Sequence, residues 1–249
     1  MRGPLSRIAR RLSGYAIHFP SVESVYSSLV PLPRFQPLAV GRRPTPFNHP
    51  DYLFEIKWDG FRSLVYLDHG RCRLVSRKEN EFKSFSSLNA ALAHELKEHT
   101  VVLDGEIVCL DDDGKPQFYD LLFRRGEPRL CAFDLLWCDG EDLRYAPLVE
   151  RKQKLRALLP ESDRVFFCDH VEQHGEALFN LACQNDLEGI VAKRKYDPYL
   201  LGTTWLKIRN QNYSQWAGRH ELFERERESD PDFRYWDACA FVCEENYEV

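Results

Sequence analysis

The chain has 249 residues, of which 43% are hydrophobic and 29% charged, and a formal net charge of −5 at pH 7. This composition is that of a globular protein with enough length for one large domain or two small ones. The acidic balance excludes an overall basic field, so any binding to nucleic acid must be local. No apolar run approaches the roughly 18 residues of a transmembrane helix, so no membrane partner is expected.

The first residues and the cysteines bear on location. Residues 1–22 contain four arginines and no acid, a pattern typical of an organellar transit peptide. The alternatives are a basic N-terminal tail, which we assign to residues 1–30, or a start codon read too far upstream. The eight cysteines form no C-x-x-C pair and have no histidine pair at zinc-finger spacing. We therefore predict reduced core thiols in a cytoplasmic protein.

The predicted elements begin after a proline-rich stretch, residues 31–50, whose six prolines favour an extended lead-in. Short strands then alternate with helices. Strands are predicted at 52–58, 63–67, 71–77, 101–110, 130–138, 187–194 and 204–209, and helices from Ser86 or Ser87 through Leu96, between Pro147 and Pro160, and at 176–185. This pattern predicts an α+β fold of mostly antiparallel sheets flanked by helices. Residues 211–249 are predicted to be a charged tail with one helix.

The stretch FEIKWDGFRS, residues 54–63, places a lysine between two acids. Because side chains alternate along a strand, Glu55, Lys57 and Asp59 share one face, and apolar residues occupy the other. One interpretation is a solvated face with a surface ion pair on an edge strand. The other is a functional site.

Three further apolar strands also carry charge. Asp104 and Glu106 share a face of their strand, and Lys207 and Arg209 share a face of theirs. Glu188 and Lys193 are five residues apart, so they can meet only if the strand has a bulge or if one of them lies at its end. Because buried charges need partners or a ligand, these strands are predicted to line one cleft.

Five ordered motifs in this chain resemble those of ATP-dependent DNA ligases, and the likeness is strongest to the bacterial ligase domain of end-joining repair enzymes. They are Lys57-Trp-Asp59-Gly60-Phe-Arg62, Asp104-Gly-Glu106, Phe133-Asp-Leu-Leu-Trp137, Glu188-Gly-Ile-Val-Ala-Lys193 and Trp205-Leu-Lys207-Ile-Arg209. The resemblance implies a nucleotidyltransferase (ATP-grasp-like) fold around a nucleotide cleft, with the adenylation domain at residues 31–210.

The resemblance also implies a reaction in three steps. Lys57 attacks the α-phosphorus of ATP and expels pyrophosphate, AMP passes to the 5′-phosphate of a DNA nick, and the 3′-hydroxyl then displaces AMP to seal the strand in repair or recombination. A free lysine is mostly protonated at neutral pH. Nearby cations would favour the neutral amine, whereas Asp59 alone would do the opposite.

The remaining roles follow from the same resemblance. Lys193 and Lys207 would hold the α-phosphate, Phe133 would stack on adenine, and Glu55 would accept a hydrogen bond from the adenine amino group. Glu106 and Glu188 would contact ribose or bind Mg²⁺ or Mn²⁺. Asp59 and Arg62 complete the cofactor-binding set, Arg62 toward ribose or the nick phosphate. The residues implied to contact nucleic acid are Ser76, Arg77 and Arg209.

Two features depart from the family pattern. Arg209 stands where lysine is usual, which keeps the charge but changes its geometry. The family normally continues into an oligonucleotide-binding barrel, and the forty residues after Arg209 are too few for one. We therefore expect that sealing of nicked double-stranded DNA needs a repair protein that supplies a DNA clamp.

Two other functions stay open. One is an RNA ligase or another adenylyltransferase. The residues of the Trp205 motif favour a DNA ligase over this alternative. The other is a non-catalytic subunit that binds ATP or DNA ends. The combination of Lys57 with the acids and cations above counts against that second function, because binding alone does not require a nucleophile.

Overall fold

The computed structural model describes residues 32–217 and Arg219. Within them the chain forms two β-sheets. The five-stranded sheet has the strand order β1 (Val40–Arg42), β11 (Trp205–Arg209), β10 (Gly189–Arg194), β2 (His49–Ile56) and β9 (His170–Gln173). The six-stranded sheet has the path β4 (Arg71–Ser76), β3 (Phe61–Asp68), β5 (Val101–Val108), β6 (Arg129–Cys138) and β7 (Glu141–Asp142), with β8 (Val165–Phe167) beside β6. Adjacent strands are antiparallel except for β1 beside β11 and β8 beside β6. The predicted α+β fold of mostly antiparallel sheets is confirmed.

The six-stranded sheet contains the middle of the chain. Its strands are rich in apolar residues, and Val65, Leu74, Leu103 and Leu135 are among those buried in one hydrophobic core.

The five-stranded sheet joins segments from both ends of the described chain. Since β2 belongs to this sheet and β3 to the other, the segment between Ile56 and Phe61 crosses from one sheet to the other.

In the described part of the chain, four α-helices accompany the sheets: α1 (Ser86–Glu95), α2 (Phe118–Leu122), α3 (Leu148–Leu158) and α4 (Gly175–Gln184). Leu88 and Leu92 of α1 are fully buried in the core of the six-stranded sheet. Ala182 of α4 packs with Phe54 and Ile190 in a second core on the five-stranded sheet. α1 and α4 thus each bury apolar side chains against a sheet.

The boundaries differ from the predictions where tertiary contacts decide them. β2 ends at Ile56 rather than at residue 58, because the chain turns there toward the other sheet. β10 begins at Gly189, so Glu188 lies at the strand end, one of the two arrangements that its spacing from Lys193 required. The short elements β1, β7, β8, β9 and α2 were not predicted, since two to five residues carry too little periodicity.

Some predictions concern parts of the chain that the structure does not describe. The basic tail at 1–30 and most of the tail at 211–249 lie outside the described residues. The six described cysteines are free thiols. In the described part of the chain, every helix is too short or too polar to cross a membrane.

Gly189 occupies a position that other residues tolerate poorly. Its φ is +139°, and a Cβ would lie 2.1 Å from the carbonyl oxygen of Ile208 on β11. We expect Gly189→Ala to lower the free energy of unfolding by about 2–3 kcal/mol, measured by urea denaturation. Gly202→Ala is the matched control, because Gly202 also has a positive φ of +99° but has nothing near its Cβ position. Its expected loss is about 1 kcal/mol, and an equal loss in both variants would contradict the steric explanation.

Candidate active site

A cleft of about 780 Å³, open solvent at its mouth included, collects side chains from both sheets. Most of the predicted site residues line it. These are Glu55, Lys57, Arg62, Arg77, Glu106, Phe133, Lys193, Lys207 and Arg209. Of the other predicted residues, Glu188 reaches the cleft through its contact with Lys57, whereas Asp59 and Ser76 are not among the lining residues.

Lys57 lies just beyond the end of β2. Its backbone N–H donates to the carbonyl of Gly189 at 2.9 Å, which ties the crossover segment to β10. Gly60 completes this segment and lets it press against β5, because a Cβ there would lie 2.0 Å from the carbonyl oxygen of Ile107. The Lys57 side chain is 16% exposed, and its Nζ lies 2.5 Å from Glu188 Oε2. The amine is therefore held at a fixed place in the cleft wall.

Two carboxylates lie near this amine. Burial raises the pKa of Glu106 to about 8, against the opposing charge of Lys57. Burial also raises the pKa of Glu188, and Lys57 again opposes the shift. Glu188 Oε1 has no hydrogen-bond partner among the described residues. Buried carboxylate oxygens that lack partners are ready to accept a cation.

These two residues fit a magnesium ion as part of its coordination shell. Mg²⁺ is commonly bound by one or two carboxylates, with substrate phosphates and water as the other ligands. The described residues contain no group of three or more His, Cys, Asp or Glu side chains that could hold a metal by themselves. Any ion at Glu106 and Glu188 would therefore need a nucleotide to complete its coordination.

Glu55 is fully buried between two lysines. Its Oε1 accepts a hydrogen bond of 2.6 Å from Lys152 on α3, and Lys193 Nζ lies 2.6 Å from Oε2. Burial opposes ionisation, but the two ammonium groups outweigh it and lower the pKa of Glu55. Glu55 is therefore a charged acceptor at the base of the cleft.

The two lysines are held differently. Lys152 makes a second hydrogen bond to the carbonyl of Cys168 at 2.9 Å, so its position is fixed. Lys193 makes no well-aligned hydrogen bond within the described chain. Its Nζ lies 4.3 Å from the ring centre of Phe133 and 3.9 Å from that of Trp205. Lys193 is thus the partner that a ligand could more easily draw away from Glu55.

Arg62 is bound on two sides. It donates to both carboxylate oxygens of Asp104, at 3.1 and 2.7 Å, and to the carbonyl of Leu38 at 2.8 Å. The hydroxyl of Tyr199 also donates to Asp104, at 2.7 Å. A bidentate pair of this kind fixes the guanidinium plane. The structure thus shows Arg62 anchored in the cleft wall.

Asp59 has partners that differ from the partner of Lys57. Its buried carboxylate accepts hydrogen bonds from Tyr213 at 2.8 Å and from Arg219 Nη1 at 3.1 Å, and it pairs with Arg219 Nη2. The predicted common face of Glu55, Lys57 and Asp59 is wrong beyond Ile56, where the strand ends. The three side chains have three separate sets of partners.

The residues predicted to contact phosphate and nucleic acid lie mainly toward the cleft rim. Lys207 is nearly buried on β11, and Arg209 lies over the ring of Trp216 at 4.6 Å. Arg77 is exposed at the end of β4. Ser76 is buried, and its Oγ accepts a hydrogen bond from the backbone of Asn80 at 3.2 Å. Arg77 is therefore accessible to a ligand and Arg209 is partly exposed, whereas Ser76 stabilises a turn.

Sequence reasoning missed four charged or polar residues of this region: Arg151, Lys152, Tyr213 and Arg219. Arg151 and Lys152 are buried on α3 between Leu148 and Leu155. Two basic residues at the core positions of an amphipathic helix are a usable signal, because such charges need buried acidic partners. Tyr213 and Arg219 follow the last motif and carry no comparable signal.

Comparisons with known proteins agree with this geometry. A family model described as "ATP dependent DNA ligase domain" matches residues 43–209. The chain is 33% identical over 180 residues to the "SPbeta prophage-derived DNA ligase-like protein LigB" of Bacillus subtilis (strain 168), covering 68% of this chain and 65% of that protein. It is 35% identical over 161 residues to the "Multifunctional non-homologous end joining protein LigD" of Mycolicibacterium smegmatis, covering 63% of this chain and 21% of that protein.

A solved structure is also similar. The "mycobacterial DNA ligase D complexed with ATP and MES" aligns with a TM-score of 0.63 and 31% identity, over 70% of this chain and 60% of that one. The chain spans less than two thirds of the length of each of these relatives. The family model nevertheless covers more than half of the chain, which therefore belongs to the ATP-dependent DNA ligase domain family.

Proposed function

We propose that this protein is the adenylation domain, residues 31–210, of an ATP-dependent DNA ligase. Lys57 attacks the α-phosphorus of ATP, pyrophosphate leaves, and a lysyl-adenylate forms. AMP then passes to the 5′-phosphate of a nick in duplex DNA, and the 3′-hydroxyl displaces it. The observation that carries this proposal is the Lys57 amine, held 2.5 Å from Glu188 in a cleft that Lys193, Lys207 and Phe133 also line.

The cleft suits the first step because the reactants must be positioned and their charge neutralised. Glu188 holds the Lys57 amine in place before the nucleotide binds. Lys207 and Lys193 supply positive charge for the α-phosphate. Glu106 and Glu188 would hold Mg²⁺, which neutralises charge on the triphosphate when bound. The amine of Lys57 attacks through the electron pair of its nitrogen.

Base recognition is proposed for Phe133 and Glu55, which both lie beside Lys193. Phe133 offers a ring that lies edge-on to Trp205, with 5.6 Å between ring centres. Glu55 would accept from the adenine amino group through the oxygen that Lys193 now pairs with, while Lys152 keeps the other oxygen in place. Arg77 and Arg209, at the rim, would contact the phosphates of the nick. That a repair protein adds a DNA clamp, and that the protein is cytoplasmic, stay predictions.

The test of this function is covalent labelling with ATP. Protein is incubated with α-labelled or γ-labelled ATP, with Mg²⁺ or with a chelator, and then denatured. We expect α-label to stay with the protein only when metal is present, and γ-label never to do so. Labelled protein from a parallel incubation, which is not denatured, is given nicked duplex DNA or the matching nicked RNA. AMP transfer to RNA in preference to DNA would favour the RNA ligase alternative, and no label at all would favour a non-catalytic binding subunit.

The role of Glu55 gives a prediction about base selectivity. A carboxylate only accepts hydrogen bonds, so it favours the adenine amino group over the guanine oxygen, whereas an amide can present either a donor or an acceptor. We expect Glu55→Gln to narrow the preference for ATP over GTP about 10-fold, measured as the ratio of labelling rates. Glu172→Gln is the control, because Glu172 is half-exposed and pairs with Lys195. If the ratio of labelling rates with ATP and GTP is unchanged in Glu55→Gln, Glu55 does not take part in base recognition.

A further inference from the structure

The segment after β11 turns back across the molecule and makes contacts that the family match, which ends at residue 209, does not include. We call residues 210–217 together with Arg219 the strap. Its first part is bound to the loop that carries Glu188. The Asn210 backbone N–H donates to the Glu188 carbonyl at 2.9 Å, the Asn210 side chain donates to the Leu187 carbonyl at 3.1 Å, and the Ser214 N–H donates to Asp186 at 2.9 Å.

The second part of the strap is bound to α2, next to the six-stranded sheet. The Gln215 side chain donates to the carbonyl of Pro116 at 2.6 Å and accepts from the N–H of Phe118 at 2.9 Å. The hydroxyl of Tyr119 donates to the carbonyl of Ala217 at 2.7 Å. The strap therefore connects the same two sheets that the segment from Lys57 to Gly60 crosses.

Asp59 is the point where the strap and this crossover segment meet. The Asp59 carboxylate is buried, and the strap supplies the three donors given above, one from Tyr213 and two from Arg219. Arg219 is also almost fully buried. Its guanidinium lies 3.9 Å from the ring centre of Phe118, and its Nε donates to the Gln215 carbonyl at 2.6 Å. A buried charge pair with this many contacts allows only one arrangement of the chain around it.

Lys57 is two residues from Asp59, and Glu188 is bound to the strap through its own backbone. We propose that the strap holds the crossover segment so that the Lys57 amine points into the cleft, which makes Tyr213 and Arg219 positioning residues for the adenylation step. This inference rests on the proposed function. Both residues hydrogen-bond Asp59 directly, and the positive charge of Arg219 also acts on Glu188. We expect the main effect on the reaction to pass through the Asp59 hydrogen bonds. A displacement of about 1 Å at a reacting group can reduce a rate about 100-fold.

The test measures single-turnover formation of the lysyl-adenylate over a range of ATP concentrations. Arg219→Gln is expected to lower the maximal rate at least about 10-fold, while the half-saturating ATP concentration stays within about 2-fold. Tyr213→Phe keeps the ring and removes one donor, so its expected loss is smaller, about 3-fold. Arg219→Lys keeps the positive charge but lacks the two guanidinium nitrogens that bond Asp59 together. Its rate should therefore lie between those of Arg219→Gln and the wild type. Gln211→Ala is the matched control within the strap, because Gln211 is exposed, and its rate should equal that of the wild type.

A double-mutant cycle with Asp59→Asn separates positioning from a general loss of stability. If Arg219 acts through Asp59, Arg219→Gln causes little further loss of rate once Asp59 has been replaced. The same fold loss in both backgrounds would overturn the inference, as would an unchanged maximal rate or an effect on ATP affinity alone. If Arg219→Gln does not fold, the cycle of Tyr213→Phe with Asp59→Asn decides by the same criteria. A wild-type chain that takes no label would overturn the proposed function and this inference with it, whereas a labelled wild type with unaffected variants would overturn this inference alone.

Discussion

Replacing Lys57 with arginine is expected to abolish labelling by α-labelled ATP, a loss on the order of 10⁴-fold or more. Arginine keeps the positive charge beside Glu188, so the cleft should still bind nucleotide. Its guanidinium stays protonated at every accessible pH and has no free electron pair for attack on phosphorus. Lys57→Ala removes the group altogether and should give the same result. The measurement is label retained after denaturation, with the labelled peptide located by mass spectrometry.

Two controls make this result specific. Lys154→Arg changes an exposed lysine on α3 that bonds Glu141, and it should be labelled like the wild type. Thermal unfolding should show that Lys57→Arg remains folded, since Lys57 lies at the end of a strand and not in a core. Label found on Lys193 or Lys207 in the Lys57→Arg or Lys57→Ala variant would show that another amine is the nucleophile.

Much of the cleft could be predicted from the pattern of charges on apolar strands. Charges on strands that are otherwise apolar indicated that β2, β5, β10 and β11 face a common site, and their side chains do line one cleft. The ordered motifs gave the family, which the family match confirms. The spacing of Glu188 from Lys193 required a bulge or a strand end, and the structure shows the strand end.

What the sequence could not predict is which charge pairs with which. Glu55 and Lys152 are 97 residues apart, and Asp59 and Arg219 are 160 apart. Alternation along a strand predicts the face on which a side chain lies, but not the helix or loop that covers that face. The three-residue strand β1 forms because β11 offers its edge, so its own residues carry little signal.

Arg151→Met is expected to cause the largest loss of stability among the variants considered. Arg151 and Asp134 are both fully buried, and two hydrogen bonds of 2.8 Å join them. Arg151 also donates to the carbonyls of Ala146 and Asp197, at 2.6 and 3.0 Å. Removing Arg151 leaves the charge of Asp134 uncompensated in the core. We therefore expect the free energy of unfolding to fall by about 3–5 kcal/mol. Urea denaturation measures this loss.

The control lies on the same helix. Arg156 pairs with Asp169, and both are more than half exposed, so Arg156→Met should lower the free energy of unfolding by less than about 1 kcal/mol. The double variant Asp134→Leu/Arg151→Met should recover much of the loss, because two apolar groups leave no unpaired charge. An Arg151→Met variant no less stable than Arg156→Met would contradict a dominant role for the buried pair.

The Arg151–Asp134 pair also affects the active site, because Lys152 is the next residue of α3. Arg151 fixes α3 against β6, and Lys152 extends from this anchored turn to Glu55. If the anchor sets the position of Lys152, a folded Arg151→Met protein should also discriminate less between ATP and GTP, in the same direction as Glu55→Gln. Arg156→Met should leave the discrimination unchanged, because its ion pair with Asp169 is exposed and a methionine side chain can keep the contact with the Phe167 ring. Labelling rates for the two nucleotides, measured below the unfolding temperature of each variant, distinguish these outcomes.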